Sequence, residues 1–329
     1  MFYIIVERVK CLHFSSPSDD IWKKFYPDAN IDAKINSSQR VTQGNNVFID
    51  SVLFKEFSDT GVIQISTYNP ENKVLVSKSS FINCSNRDNG GCIQYSRSGH
   101  IIQYKVCSLD PFSPGGSGSH SYIDLRETNE GKDYVIESTF AQSSGKSGAF
   151  DHDYGSILLS LINISDSNSK NNVNYVIGYP TTLATVNFSQ FKNNTANVTS
   201  CFQHLYSEHK FIYCNVVENS IEGSDPLFFI QQPQLTINRC YFKGNKAYYF
   251  TEAWGGTAYL SESHFEPDNV FSHTLLNSNP IEMGQIVFDN YYSYCFYLFS
   301  LLRKPDKTLV IDNPKINIIH LYSIVSQLL

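Results

Sequence analysis

The 329-residue sequence predicts an all-β solenoid, a parallel β-helix, on three observations. An apolar anchor recurs about every 26 residues. A small Ser or Cys stands two positions before many anchors, and an Asn stands three positions after several of them. A unit this short, with two or three strands and no amphipathic helix, cannot bury its apolar side alone. Successive units must therefore stack and share one core.

Composition agrees. Hydrophobic residues make up 41% and charged residues 17%, and 23 Phe and 21 Tyr stand against 2 Met, so strand formers dominate. That apolar content excludes a disordered chain. A net charge of −6 offers no basic surplus for nucleic acid. Length alone would suggest two domains at about 150 residues each, but the unbroken period favours one extended unit. Leucine-rich repeats share the period, yet VNFSQFKNN and TINRCYFKGN lack the leucines they require.

Taken in order, residues 1–46 form an N-terminal cap region. Its segment Asp19 to Phe25 carries a helix-start signal, with Ile21, Trp22 and Phe25 at helical spacing. A cap is expected because an uncovered terminal coil exposes apolar core and an unpaired strand edge. The apolar start before Glu7 is too short for a secretion signal. Residues 47–314 form the repeats, about eleven coils, with anchors at Phe54, Phe81, Leu109, Phe140, Ile164, Phe191, Val216, Phe242, Phe265, Phe288 and Ile311. Phe81, Phe140, Phe191, Phe242 and Phe265 are expected in one axial core. Strand alternation turns Ser79, Cys107, Ser138, Ser189, Cys214, Cys240 and Ser263 inward with the anchors. Asn194, Asn219 and Asn245 are expected to form a ladder at a bend, where Asn tolerates left-handed dihedrals. Residues 315–329 form a C-terminal cap, and no stretch is long and apolar enough to span a bilayer.

Some motifs resemble a known repeat. Gly90-Gly91-Cys92-Ile93 is similar to the GGA[ILV] element of the polymorphic outer-membrane protein repeat. Phe191-Lys192-Asn193-Asn194 and Phe242-Lys243-Gly244-Asn245 are similar to its FxxN element, from which Val216-Val217-Glu218-Asn219 departs at the first position. The resemblance covers roughly residues 47–314 and implies a right-handed parallel β-helix of the pectin-lyase-like kind, as in expanded families of protist surface proteins. It further implies a secreted or cell-surface adhesion module. The six Asn-X-Ser/Thr sites add nothing, since chance placement yields about five.

Because pectin-lyase-like folds often act on polysaccharides, paired carboxylates matter. Asp151 and Asp153 share a strand face at about 6 to 7 Å, within the range for glycoside hydrolysis. Neighbouring repeats offer no evident second carboxylate at equivalent positions, so both are expected to solvate an outer strand. No NTD, GHG or RIK run of the polygalacturonase kind is present. The pairs His204/His209 and His264/His273 lack metal-ligand spacing and read as surface histidines, so neither metal nor cofactor is expected. Cys214 and Cys240 share a register in adjacent coils. Their parallel Cβ directions favour two buried thiols over a disulfide.

The expected function is non-enzymatic binding of a glycan or protein by a monomeric rod. Tyr249, Trp254 and Tyr292 would form an exposed aromatic strip, since rigid planar side chains bury large areas at small entropic cost. A polysaccharide lyase or hydrolase using Asp151 and Asp153 is the alternative. A degenerate family member with no separate activity is a third reading.

Overall fold

The computed structural model describes residues 18–128, 130–171, 174–232, 234–271, 277–287 and 295. Strands account for 48% and helix for 3%, arranged among the described residues as a parallel β-solenoid of about eight turns, modestly fewer than the eleven expected for the whole chain. Three long sheets run its length. Sheet I has eleven strands, from Ala33–Ile35 to Asn277–Ser278; sheet II has nine, from Leu53–Lys55 to His264–Phe265; sheet III has eight, from Ile63–Thr67 to Tyr249–Trp254. A five-strand ladder from Phe112–Ser113 to Ser220–Ile221 fills a corner. Each coil passes through sheets III, I and II in turn. The parallel pairing is what stacked coils of one hand require.

The anchors lie in sheet II. Phe54 pairs with Phe81, and Phe140, Ile164, Phe191, Val216, Phe242 and Phe265 follow in register. Phe81, Phe140, Phe191 and Phe242 are completely buried in one continuous core, whereas Phe265 is half-buried against Phe242 in the last coil of the sheet. One anchor is displaced: Ser108, not Leu109, stands between Phe81 and Phe140. A shift of one residue turns a strand over. Leu109 and Cys107 therefore face outward, and Val106 takes the inward small-residue position. That inward column uses hydroxyls to cap backbone groups: Ser79, Ser138, Ser189 and Ser263 accept from the amides of Val52, Val106, Ile162 and Cys240. Cys214 and Cys240 are buried free thiols.

Corners are made by single residues. The first residue after each sheet I strand, from Ser51 to Glu262, has φ between 47° and 60°, and only L side chains occupy these positions. Their amides still bond the next coil, as from Lys78 to Tyr104 O at 2.9 Å and from Glu137 to Ser160 O at 3.0 Å, so the chain turns without breaking the ladder. A second such corner follows sheet II at Asn193, Glu218 and Gly244. The left-handed residue is thus the one before each ladder Asn, not the Asn itself. Asn194, Asn219 and Asn245 are completely buried, each amide donating to the next Asn Oδ1 or to the carbonyl of a preceding coil. Asn269 continues the row, accepting from Asn245 at 2.9 Å.

The helix Ser18–Phe25 does not close the end of the rod. Trp22 and Tyr26 pack on the outward face of sheet I against Phe48, Leu75, Ile102 and Tyr104. At the other end, the last described strand of the stack is Asn277–Ser278, and residues 279–287 lie along the outside of sheet II. The anchors placed at Phe288 and Ile311 and the cap at 315–329 lie outside the described residues.

Asn219 gives a direct test of the ladder. Asn219→Ala leaves buried carbonyls of Phe191 and Val217 and the Asn245 amide row short of partners. It should cost about 1 to 3 kcal/mol in chemical denaturation, while an exposed change such as Lys210→Ala should cost almost nothing.

Candidate functional site

The outward face of sheet III gathers most of the residues singled out in the sequence. In-register pairing generates two columns along the rod. One contains Tyr122, Asp151, Val176, Gln203, Phe229 and Glu252; the other contains Asp124, Asp153, Gly178, Leu205, Gln231 and Trp254. Asp151 and Asp153 therefore share a face with Trp254, four strand spacings away, about 19 Å.

The carboxylates are not isolated. Asp124 pairs directly with Asp153, so a neighbouring coil does supply a third acid. Asp124 was invisible as a partner because the insertion after it, Leu125 to Gly131, breaks the spacing of that coil. Nor are the acids simply solvated: Asp151 is 9% exposed, and Asp124 is 5% exposed and held by the Arg126 guanidinium. Burial pushes Asp153 up to about 7, with the charges of Asp151 and Asp124 adding to it and Arg126 opposing. Burial likewise raises Asp151, against a hydrogen bond from Ser117. Gly178 completes the cluster, since a Cβ there would collide with Asp153 Oδ1; the bare backbone is what lets that carboxylate lie across the next coil.

Beside these columns, where sheet III turns toward sheet I, Tyr154, Tyr179 and Tyr206 occupy the left-handed corner position of three successive coils. Their rings stack at 5.2 and 4.2 Å with interplanar angles of 14° and 13°. Because the faces cover one another, the stack offers a row of edges and hydroxyls, and Gln231 donates to the Tyr206 hydroxyl at 3.1 Å. This row was missed because none of the three belongs to an apolar run; the shared register is its only signal. Trp254 is 59% exposed, its indole edge-on to Phe229 at 5.1 Å and its Nε1 donating to Glu252. Tyr249 is half-buried at the start of its strand, edge-on to Tyr248. Strict alternation fails at that corner, since Phe250 enters the core while Tyr248 is exposed. Tyr292 lies outside the described residues.

The histidines correct a second expectation. His120, His152 and His204 are completely buried and His209 nearly so, none of them on the surface; His273 lies outside the described residues. His152 faces inward between its two aspartates. Its Nε2 meets Ser121 Oγ at 2.7 Å and its Nδ1 lies 2.9 Å from Asp133 Oδ2. This has the order of a Ser-His-Asp triad, but all three side chains are completely buried, so no substrate reaches the hydroxyl. His120 joins the same interior network through Ser108 and Gln103, and burial holds it well below the usual histidine range, hence neutral.

A separate cleft of about 680 Å³ opens between the end of the helix and the turns leading into sheet I. Lys73, His100 and Lys132 stand in register along it, and burial with the two ammonium groups lowers His100 to about 4. Four carboxylates share the lining, so the cleft has no dominant sign. Among the described residues no group of three or more His, Cys, Asp or Glu side chains is placed to hold a metal ion, and no helix is long and apolar enough to cross a membrane.

Comparison with known proteins adds no relative: no protein family, no curated protein and no solved structure matches the chain.

The Asp153 environment sets a pH signature. A carboxyl whose folded value lies above its ordinary 3.8 opposes folding increasingly as pH rises from near 4 to about 7, and in full above that. Asp153→Asn should therefore stabilise the rod at pH 8 by about 1 to 3 kcal/mol, and make no difference at pH 4. Denaturation of both proteins at the two pH values measures this.

Proposed function

We propose that the protein is a ligand-binding rod whose binding face is the outer side of sheet III, and that its ligand is an extended polysaccharide. One observation carries the reading: the exposed indole of Trp254 and the acidic group of Asp124, Asp151 and Asp153 stand on one face of one sheet, flanked by the tyrosine row. A solenoid keeps such groups at a fixed repeat, about 4.8 Å per coil, so little conformational entropy is lost when a stiff chain lies along it. The indole supplies an apolar plane, and the carboxylates and phenol hydroxyls supply hydrogen-bond partners for sugar hydroxyls.

A glycoside-cleaving reading has its own support. Asp153 is pushed up to about 7 beside two other carboxyl groups, which suits a general acid. The binding reading takes precedence because Asp124 is engaged by Arg126 and Asp151 is nearly buried, which leaves Asp153 as the most accessible of the three.

A glycan array with the full-length chain tests both. Trp254→Ala should weaken binding to the best glycan about tenfold or more, and Tyr179→Ala by less, without a change in thermal stability. Binding unaltered by Trp254→Ala would remove the face. Release of reducing ends from a bound glycan, abolished by Asp153→Asn, would replace binding with hydrolysis.

A further inference from the structure

The outward side of sheet II carries a second feature, on the opposite chemistry from the acidic face. One of its columns runs Cys107, Thr139, Asn163, Gln190, Asn215, Tyr241, His264 in register. Residues from the far end of the chain meet this column, running from its last coil back toward its early ones. Ile281 O lies 3.3 Å from His264 Nδ1; the Asn215 side chain receives the Ile286 amide at 2.9 Å and donates to its carbonyl at 2.7 Å; Gln285 donates to Gln190 at 3.2 Å; and Cys295 is disulfide-bonded to Cys107. From Asn215 to Cys107 is four strand spacings, about 19 Å, well within the roughly 30 Å that nine extended residues reach.

The column is also unlike an ordinary outer face. Thr139 and Asn163, between Gln190 and Cys107, point away from the core yet are 0% and 1% exposed, and the Thr139 hydroxyl and both polar atoms of the Asn163 amide have no hydrogen-bond partner. Beside them Leu53, Ile82, Leu109 and Ala141 form an apolar strip that is nearly inaccessible together with Cys107 and Cys295. An exposed sheet face would keep its polar atoms in water.

We propose that residues 279–287, which run antiparallel to the coil progression on the outer column of sheet II, are a strap locked by the Cys107–Cys295 disulfide, and that reduction of this bond releases it without unfolding the rod. Closing the lock takes two thiol–disulfide exchanges with a disulfide oxidant such as oxidised glutathione. The first joins one cysteine to half of the oxidant; the second forms the Cys107–Cys295 bond. Two thiols leave carrying the two protons, and the oxidant is reduced by two electrons. A dithiol reductant reverses both steps. The five other described cysteines are buried and free, so the lock is the one disulfide among the described residues that a reductant would address. Besides that bond, side-chain hydrogen bonds fasten the strap, and Asn215 makes two of them.

The test uses the full-length chain. Alkylation followed by digestion without reduction should give one linked peptide pair containing Cys107 and Cys295; recovery of both as alkylated thiols overturns the lock. Limited proteolysis before and after treatment with dithiothreitol should show cleavage within residues 279–287 accelerating about tenfold or more, with the circular dichroism of the rod unchanged. Cys295→Ser should behave as the reduced protein in the absence of reductant. Asn215→Ala should accelerate cleavage only modestly while the disulfide is intact, and further once it is reduced. Cleavage that ignores reduction overturns the strap, and loss of the sheet signal on reduction shows the bond to be part of the rod's own stability instead, which also overturns it.

Discussion

Every level of this molecule follows from one constraint: each residue lies one strand spacing, about 4.8 Å, above its counterpart in the next coil, with the backbone ladder fixing the alignment. Like therefore meets like. Phe191 and Phe242 belong to one apolar file, Asn194 bonds Asn219 and Asn219 bonds Asn245, and Tyr154, Tyr179 and Tyr206 stack. The corners obey the same constraint. A single residue with positive φ redirects the chain while its amide still reaches the next coil, so the ladder is never interrupted and the strain of a left-handed L-residue is offset coil by coil.

The third and fourth coils show what happens when a file is broken. Ser108 is too small to fill the place between Phe81 and Phe140, and His120 enters the space, its ring 5.4 Å from one and 4.6 Å from the other. A buried imidazole needs partners, and Ser108 and Gln103 provide them; Ser121, His152 and Asp133 extend the polar island further. Such a network fixes register strongly, because a slip of one coil would set these groups against hydrocarbon.

The repeat made the sheet II anchors, the inward Ser and Cys column and the Asn row readable, since each depends on periodicity and alternation alone. What escaped depended on departures from them. Leu109 was the apolar residue nearest the expected anchor position, and choosing it over Ser108 rotated Cys107 inward and hid its reach to Cys295. Asp124 was hidden by the insertion that follows it, and Asn269 by one extra residue after Phe265. The helix near Trp22 was legible as a helix. Its place on the flank was not, because that depends on Phe48, Leu75 and Ile102 forming an apolar outer patch across three coils. The proposed binding face was partly legible: Trp254, Asp151 and Asp153 were each noticed, but that they share a face requires knowing that one strand, counted coil by coil, arrives above another.

The Cys107–Cys295 bond has a mechanical side as well. A solenoid pulled from its end ordinarily unzips one coil at a time, each yielding as its ladder is peeled. Here the covalent link spans 188 residues, so tension applied beyond Cys295 passes straight to Cys107. The coils between the two cysteines, among them those carrying Asp153, the tyrosine row and Trp254, carry no load while the link is intact. The load falls instead on the early coils, where the helix braces the flank of sheet I. Pulled at its tail, the rod would keep the shape of the proposed binding face under tension.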